Sequence, residues 1–276
     1  MTRVSDIVDA LDERFPPALA QDWDAIGLSV GDPSAEVRRV LFAVDPTLAV
    51  AQQAIDKDCQ LIVAHHPLML RGVTSVASNT GKGAVVHRLI EAGCALYSAH
   101  TNADSAAGGV VDALASAIGL AATTPLVPDV ADPKLGLGRV GALAEELSLE
   151  DFAQRVAAAL PRTHHGVRVA GDLGVTVRRV AVLAGSGDSL FDAVRAADAD
   201  VYVTADLRHH PASEAREIAE ANDGRPALVD VSHAASESLW LADAAATIAD
   251  HHGVDTVVST LNTDPWTARC GADHQQ

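Results

Sequence analysis

An α/β fold made of two similar lobes related by an internal repeat is what the sequence predicts. Three observations predict it. Short apolar runs of strand length alternate with amphipathic stretches of helical period, the pattern of sheets joined by crossover helices. Val37-Arg38-Arg39-Val40 recurs 140 residues on as Val177-Arg178-Arg179-Val180, again at the entrance to an apolar run. Histidines and carboxylates gather where those runs end, and that is where open α/β sheets bind ligands. With 276 residues there is length for two such lobes. They are expected over residues 1–125 and 126–276, with the seam at about 121–175.

Taken in order, residues 5–19 are amphipathic, with Ser5 as N-cap, and are broken by Pro16-Pro17. Residues 23–31 are rich in turn formers and lead into Gly31-Asp32-Pro33. The spacing then predicts a strand over 40–44, a helix over 48–56, a strand over 61–64, a helix over 83–92 and a strand over 95–99. The seam opens with a Pro/Thr-rich connector and continues through 136–142. Its helix, over 149–160, has Ser148 and Asp151 at capping-box spacing. Strands are expected over 167–169, 180–183 and 201–204. At the offset of the first match, Leu61-Ile62-Val63-Ala64 lies against Val201-Tyr202-Val203-Thr204. Ala95-Leu96-Tyr97-Ser98-Ala99-His100 matches Leu228-Val229-Asp230-Val231-Ser232-His233 at an offset of 133. Four residues after His100 comes Asp104, and four after His233 comes Glu237; helical stretches follow at 109–118 and 239–249. Matches that keep the same order favour duplication over chance.

Composition narrows the function. There are 20 Lys and Arg against 37 Asp and Glu, for a formal net charge of −17. That balance disfavours a protein that coats nucleic acid or binds membranes through a polybasic face. No apolar run approaches the ~20 residues of a transmembrane span. Asp6, Asp9, Asp12 and Glu13 near the N-terminus are foreign to a secretory signal, so the cytoplasm is the expected location. Cys59, Cys94 and Cys270 show no CxxC spacing and are read as reduced thiols. Twelve histidines in a chain with three lysines are the compositional oddity.

Three strand ends carry the candidate chemistry. His65 and His66 close the 61–64 run; neighbouring side chains on an extended backbone face opposite ways, so the pair is expected to serve two ions side by side. As an isolated pair they read more simply as one locally bonded and one solvated histidine. His100-Thr101-Asn102-Ala103-Asp104 is the second cluster, with helix capping as its plainer reading. The third is His233-Ala234-Ala235-Ser236-Glu237, in which a helix would place His233 and Glu237 on one face; an exposed ion pair is the plainer alternative. Together, His65, His66, Asp104, His233 and Glu237 supply three protein ligands to each of two ions if Glu237 is shared. Such a pair, ~3.5–4 Å apart, activates water and clamps a phosphate or amide oxygen. Imidazole and carboxylate ligands suit zinc, iron or manganese. His100 and His210 are candidate catalytic groups, with His209 beside the latter. His164, His165, His251, His252 and His274 are expected at the surface. Gly185-Ser186-Gly187 reads as a tight turn, since no dinucleotide or P-loop fingerprint accompanies it.

The motifs Trp23-Asp24-Ala25-Ile26-Gly27-Leu28, Ala64-His65-His66-Pro67-Leu68, His100-Thr101-Asn102-Ala103-Asp104, Gly185-Ser186-Gly187, Thr204-Ala205-Asp206-Leu207-Arg208-His209-His210 and His233-Ala234-Ala235-Ser236-Glu237 stand in one order. In that order the chain resembles the Nif-three-like family, whose members carry the name GTP cyclohydrolase 1 type 2 homolog, from about residue 4 to 268. The resemblance implies a dinuclear metal centre between two α/β lobes and a toroidal homohexamer. Carried over by motif, His65 and His233 hold one metal, His66 and Asp104 the other, and Glu237 bridges. Ala184, Ala205 and Ser232 depart from the family pattern, and none is a ligand. The function so implied is a dinuclear metal-dependent hydrolase of a nucleotide or related phosphorylated small molecule, acting through a metal-bound hydroxide. His100 or His210 would shuttle the proton. The alternative is a non-enzymatic metal-binding assembly that buffers, delivers or senses metal and binds partner proteins.

Overall fold

The computed structural model describes residues 1–270. In chain order the elements are α1 (Val4–Arg14), a 3-10 turn (Pro17–Leu19), β1 (Gly27–Val30), β2 (Arg39–Ala43), α2 (Leu48–Asp56), β3 (Leu61–Ala64), α3 (Gly81–Ala92), β4 (Ala95–Ser98), α4 (Thr101–Ser105) and α5 (Val110–Ala117). They continue as β5 (Leu120–Pro128), β6 (Gly136–Ser148), α6 (Leu149–Ala159), β7 (Arg168–Ala170), β8 (Thr176–Ser186), a 3-10 turn (Asp188–Leu190), α7 (Phe191–Ala196) and β9 (Val201–Ala205). The last are α8 (His209–Glu220), β10 (Ala227–Val231), α9 (His233–Ser236), α10 (Leu241–His252) and β11 (Asp255–Val258). The fold is mixed α/β, with two sheets among the described residues. No helix among them is long and apolar enough to cross a membrane.

Contacts divide the chain into two units. The first comprises Met1–Ala113, Pro128–Leu137 and Glu237–Thr263. Its sheet has the order β1-β4-β3-β2-β11, with β11, β2, β3 and β4 mutually parallel and β1 antiparallel to β4. β3 is central and buried at every residue, which is why its sequence is a continuous apolar run without alternation. On one face Leu41, Ala43, Ile62, Ala64 and Leu96 pack with Val50, Ala54, Val85 and Leu89 from α2 and α3. α1 packs on β1 and α10, and α10 on β2 and β11. Tyr97 of β4 donates a hydrogen bond to Asp12 of α1 at 2.6 Å.

The second unit comprises Leu114–Val127, Gly138–Ser236 and Asp264–Gln276. Its sheet runs β5-β6-β8-β9-β10-β7, with β8, β9 and β10 parallel and β6 and β7 antiparallel to their neighbours β8 and β10. The two Val-Arg-Arg-Val motifs overlap the start of β2 and lie near the start of β8, and each is tied there in the same way. Gln60 accepts from the backbone N–H groups of Arg38 and Arg39, and Asp200 from those of Arg178 and Arg179.

Two expectations need correcting. The break expected at Pro16-Pro17 is present, with the helix ending at Arg14 and a 3-10 turn taking over, but its N-cap differs. Its cap is Arg3, whose N–H donates to Asp6 at 2.8 Å, and not Ser5. The Pro/Thr-rich connector after 120 is an edge strand, β5, where the missing N–H of Pro125 is tolerated.

Candidate metal centre

The ladder of β3 extends past its end. The His65 N–H donates to Ala43 O at 3.0 Å and that of His66 to Val44 O at 2.9 Å. The side-chain alternation does not extend with it. Residues 65 and 66 lie in a bend and their ring centroids are 4.9 Å apart, which corrects the expectation of opposite faces. Both rings meet one carboxylate: Glu237 Oε1 lies 3.4 Å from His65 Nε2, and Oε2 lies 3.1 Å from His66 Nε2. Glu237 is 3% exposed and divides its two oxygens between two imidazoles.

What each Nδ1 touches decides which nitrogen faces inward. His65 Nδ1 is 2.9 Å from Ala99 O, a group that only accepts, so the ring proton sits on Nδ1 and the Nε2 lone pair faces the cluster. His66 Nδ1 is 2.7 Å from Asp45 Oδ1, and His100 Nδ1 is 2.8 Å from Asp24 Oδ1. In the second unit, His233 opens α9 with its Nδ1 2.8 Å from Asp206 Oδ2. Four histidines at strand ends thus have Nδ1 held by an oxygen acceptor, the arrangement that orients metal-ligating imidazoles and raises their basicity. The rings of His65, His66 and His100 lie 4.9–5.4 Å apart, and each offers a ligand atom within 4.8 Å of the others.

The electrostatics agree with a cation-attracting cluster. Burial works against the imidazolium of His66, but Glu237 and Asp45 overcome it and raise the group to about 10. Burial pushes Asp104 up to about 6, with His65 pulling the other way. Burial also opposes ionisation of Asp24, yet hydrogen bonds from His100, Thr101 and Ala25 hold it well below the usual carboxylate range. Asp104 Oδ1 and His65 Nε2 face each other at 3.8 Å, buried and without a hydrogen-bond partner among the described residues. Leaving a buried polar atom unsatisfied costs roughly 1–3 kcal/mol. Two lone-pair donors facing each other are satisfied together by a divalent cation, so the residues fit a metal.

Other predicted residues lie elsewhere. His210 is exposed at the start of α8, its ring 5.2 Å from that of His209. His209 lines a cavity of about 430 Å³ with Arg168 and Arg216. His165, expected at the surface, is half-buried and lies 3.2 Å from Asp230, a correction caused by β10 presenting that carboxylate beside it. His164 and His251 are exposed, and His274 falls outside the described residues. Gly187 is a packing position: a Cβ there would stand 2.1 Å from Thr204 Oγ1. Asp45, Asp24 and Asp206 were not singled out from the sequence. Asp45 carried a usable signal, since it follows the strand 40–44 as His65 follows 61–64.

Residues 2–265 match the model of the family described as Duf34/NIF3 (NGG1p interacting factor 3). The chain is similar to a GTP cyclohydrolase 1 type 2 homolog of Streptomyces coelicolor, 52% identical over 97% of this chain and 95% of that one. Among solved structures it is similar to a Bacillus cereus protein related to NIF3, with TM-score 0.88, 26% identity and coverage of 96% and 99% of the two chains. A Staphylococcus aureus hypothetical protein gives TM-score 0.87 at 28% identity, with 97% and 99% covered.

Proposed function

We propose, from the premise that this chain belongs to the Duf34/NIF3 family, that it is a metal-dependent hydrolase of a nucleotide or related phosphorylated small molecule. In this reading two divalent ions are held by His65, His66, Asp104, His233 and Glu237. The observation that carries it is the shared carboxylate: Glu237 places one oxygen on each of two imidazoles whose Nδ1 atoms are already engaged. His233 is included because it precedes Glu237 by four residues and has the same carboxylate-held Nδ1.

Divalent metal bound there would act as a Lewis acid toward a phosphoryl or carbonyl oxygen and make water nucleophilic near neutral pH. The chain's own groups do the rest. Asp24 fixes the His100 proton on Nδ1 and leaves Nε2 to take up and return a proton, the role expected of a general base backed by a carboxylate. Asp45 and the Ala99 carbonyl lock the two strand-end rings, so little reorientation is needed when a ligand arrives. A homohexamer is part of the proposal and rests on the family resemblance.

The test is elemental analysis of protein reconstituted separately with zinc, iron and manganese, followed by a nucleotide panel that includes GTP. Two ions per chain and turnover abolished by chelator are the expected results. Metal uptake without turnover of any nucleotide would replace the hydrolase by a metal-binding assembly. Less than one ion per chain would overturn both.

A further inference from the structure

Trp23 stands where an aromatic side chain is costly to leave in water. The residue is 58% exposed. It occupies the turn Gln21-Asp22-Trp23-Asp24, closed by the Asp24 N–H donating to Gln21 O at 2.9 Å. Both ends of that turn are tied to the same residue, Thr101: the Gln21 N–H donates to Thr101 Oγ1 at 2.9 Å, and Asp24 accepts from Thr101 N–H at 3.0 Å and from its hydroxyl. Asp24 also holds His100, and the Trp23 and His100 rings lie 5.9 Å apart with planes at 78°. A perpendicular contact covers at most one face of the indole, so the other is turned away from His100.

The surroundings select among uses for such a ring. A single imidazole, His100, separates the indole from His65 and His66. The turn is rigidly tied, so little conformational entropy is lost on binding. Exposed, held in place and next to the cluster, the indole suits a flat ligand that extends from the proposed metal centre.

We propose that Trp23 is the stacking platform for the planar heterocyclic ring of the substrate, a proposal that rests on the hydrolase reading above. Because stacking uses the π-face that every base has, it tolerates different bases. Trp23 therefore selects for a base-bearing phosphate over a ringless one, and does not choose between purines.

The experiment is calorimetric titration of the full, metal-loaded chain with GTP, ATP and inorganic triphosphate. Trp23→Ala is expected to weaken GTP and ATP binding by about tenfold or more, and equally. Trp23→Phe should recover part of the loss, while triphosphate affinity and metal content stay unchanged in both variants. Unchanged GTP affinity in Trp23→Ala would overturn the platform and leave the hydrolase reading standing. An equal loss for triphosphate, or a loss of metal, would also overturn it, because Trp23 would then support the centre itself. If the wild-type chain binds neither nucleotide, the hydrolase reading falls and the platform with it.

Discussion

Glu237 touches both strand-end histidines, and Asp104 faces the Nε2 of His65, so their losses should differ in kind. Glu237→Ala is expected to disturb both ions, and Asp104→Ala to lower occupancy mainly at one. Exposed His164 serves as the control, and His164→Ala should change neither. Anomalous scattering from crystals of the three variants reads this directly; two ions retained without Glu237 would refute the assignment. Asp45→Asn, which weakens the hold on His66 Nδ1, should lower metal affinity about 10–100-fold, measured by competition with a chelating dye. Burial pushes the thiols of Cys59 and Cys94 up to about 11 and 12, while Cys270 is exposed. Iodoacetamide at pH 8 should therefore modify the native protein at Cys270 alone, which peptide mass mapping checks. At this scale the candidate ligands were legible because histidine at the end of an apolar run is an unusual residue in a readable place. Which carboxylate stands behind which histidine was not. Asp45 and Asp24 reach His66 and His100 from 21 and 76 positions away, and only the strand order brings them together.

Central strands and capped helices announced themselves, as did the edge strand β7, but the edges β5 and β11 did not. β3 and α2 run over the residues expected, since a continuous apolar run and a capped amphipathic stretch each have a local signature. Ser148 caps α6 as its spacing suggested, accepting from the Asp151 N–H at 3.0 Å. Ser148→Ala should cost about 1 kcal/mol in denaturant unfolding. β5 was hidden by Pro125 and its threonines, which an edge strand accepts. β11 gave no signal because its four residues are half-exposed and only pairing with β2 makes them a strand. The Gly185-Ser186-Gly187 turn owes its composition to packing: Tyr202 donates to Gly187 O and Thr204 to Gly185 O, while Ser236 accepts from the Gly185 N–H. Gly187→Ala should therefore destabilise by roughly 1–3 kcal/mol, read as a lowered Tm.

On the scale of the molecule, the chain leaves the first unit and comes back to finish it. Glu237–Thr263 brings β11, the buried α10 face and Trp240, whose ring meets Phe15 at 5.3 Å and His65 at 6.0 Å. Trp240, Leu241 and Ile248 at ~1.5–3 kcal/mol each approach the whole stability of a domain. A chain ending at Ser236 should lose the near-ultraviolet dichroism of a packed first unit and bind no metal, which circular dichroism and elemental analysis check. Chelation of the intact protein should lower its Tm, since a site at 100 times its Kd adds about 2.7 kcal/mol. The same path sets a clock on the ribosome. His65 and His66 are made about 170 residues, and Asp104 about 130 residues, before Glu237, which at roughly 5–20 residues per second is a wait of about 7–34 s. Until residue 237 is made, the nascent chain holds the other proposed ligands without the proposed bridge. In the proposed two-ion site, capture of the metals would therefore have to wait until this late carboxylate has been made.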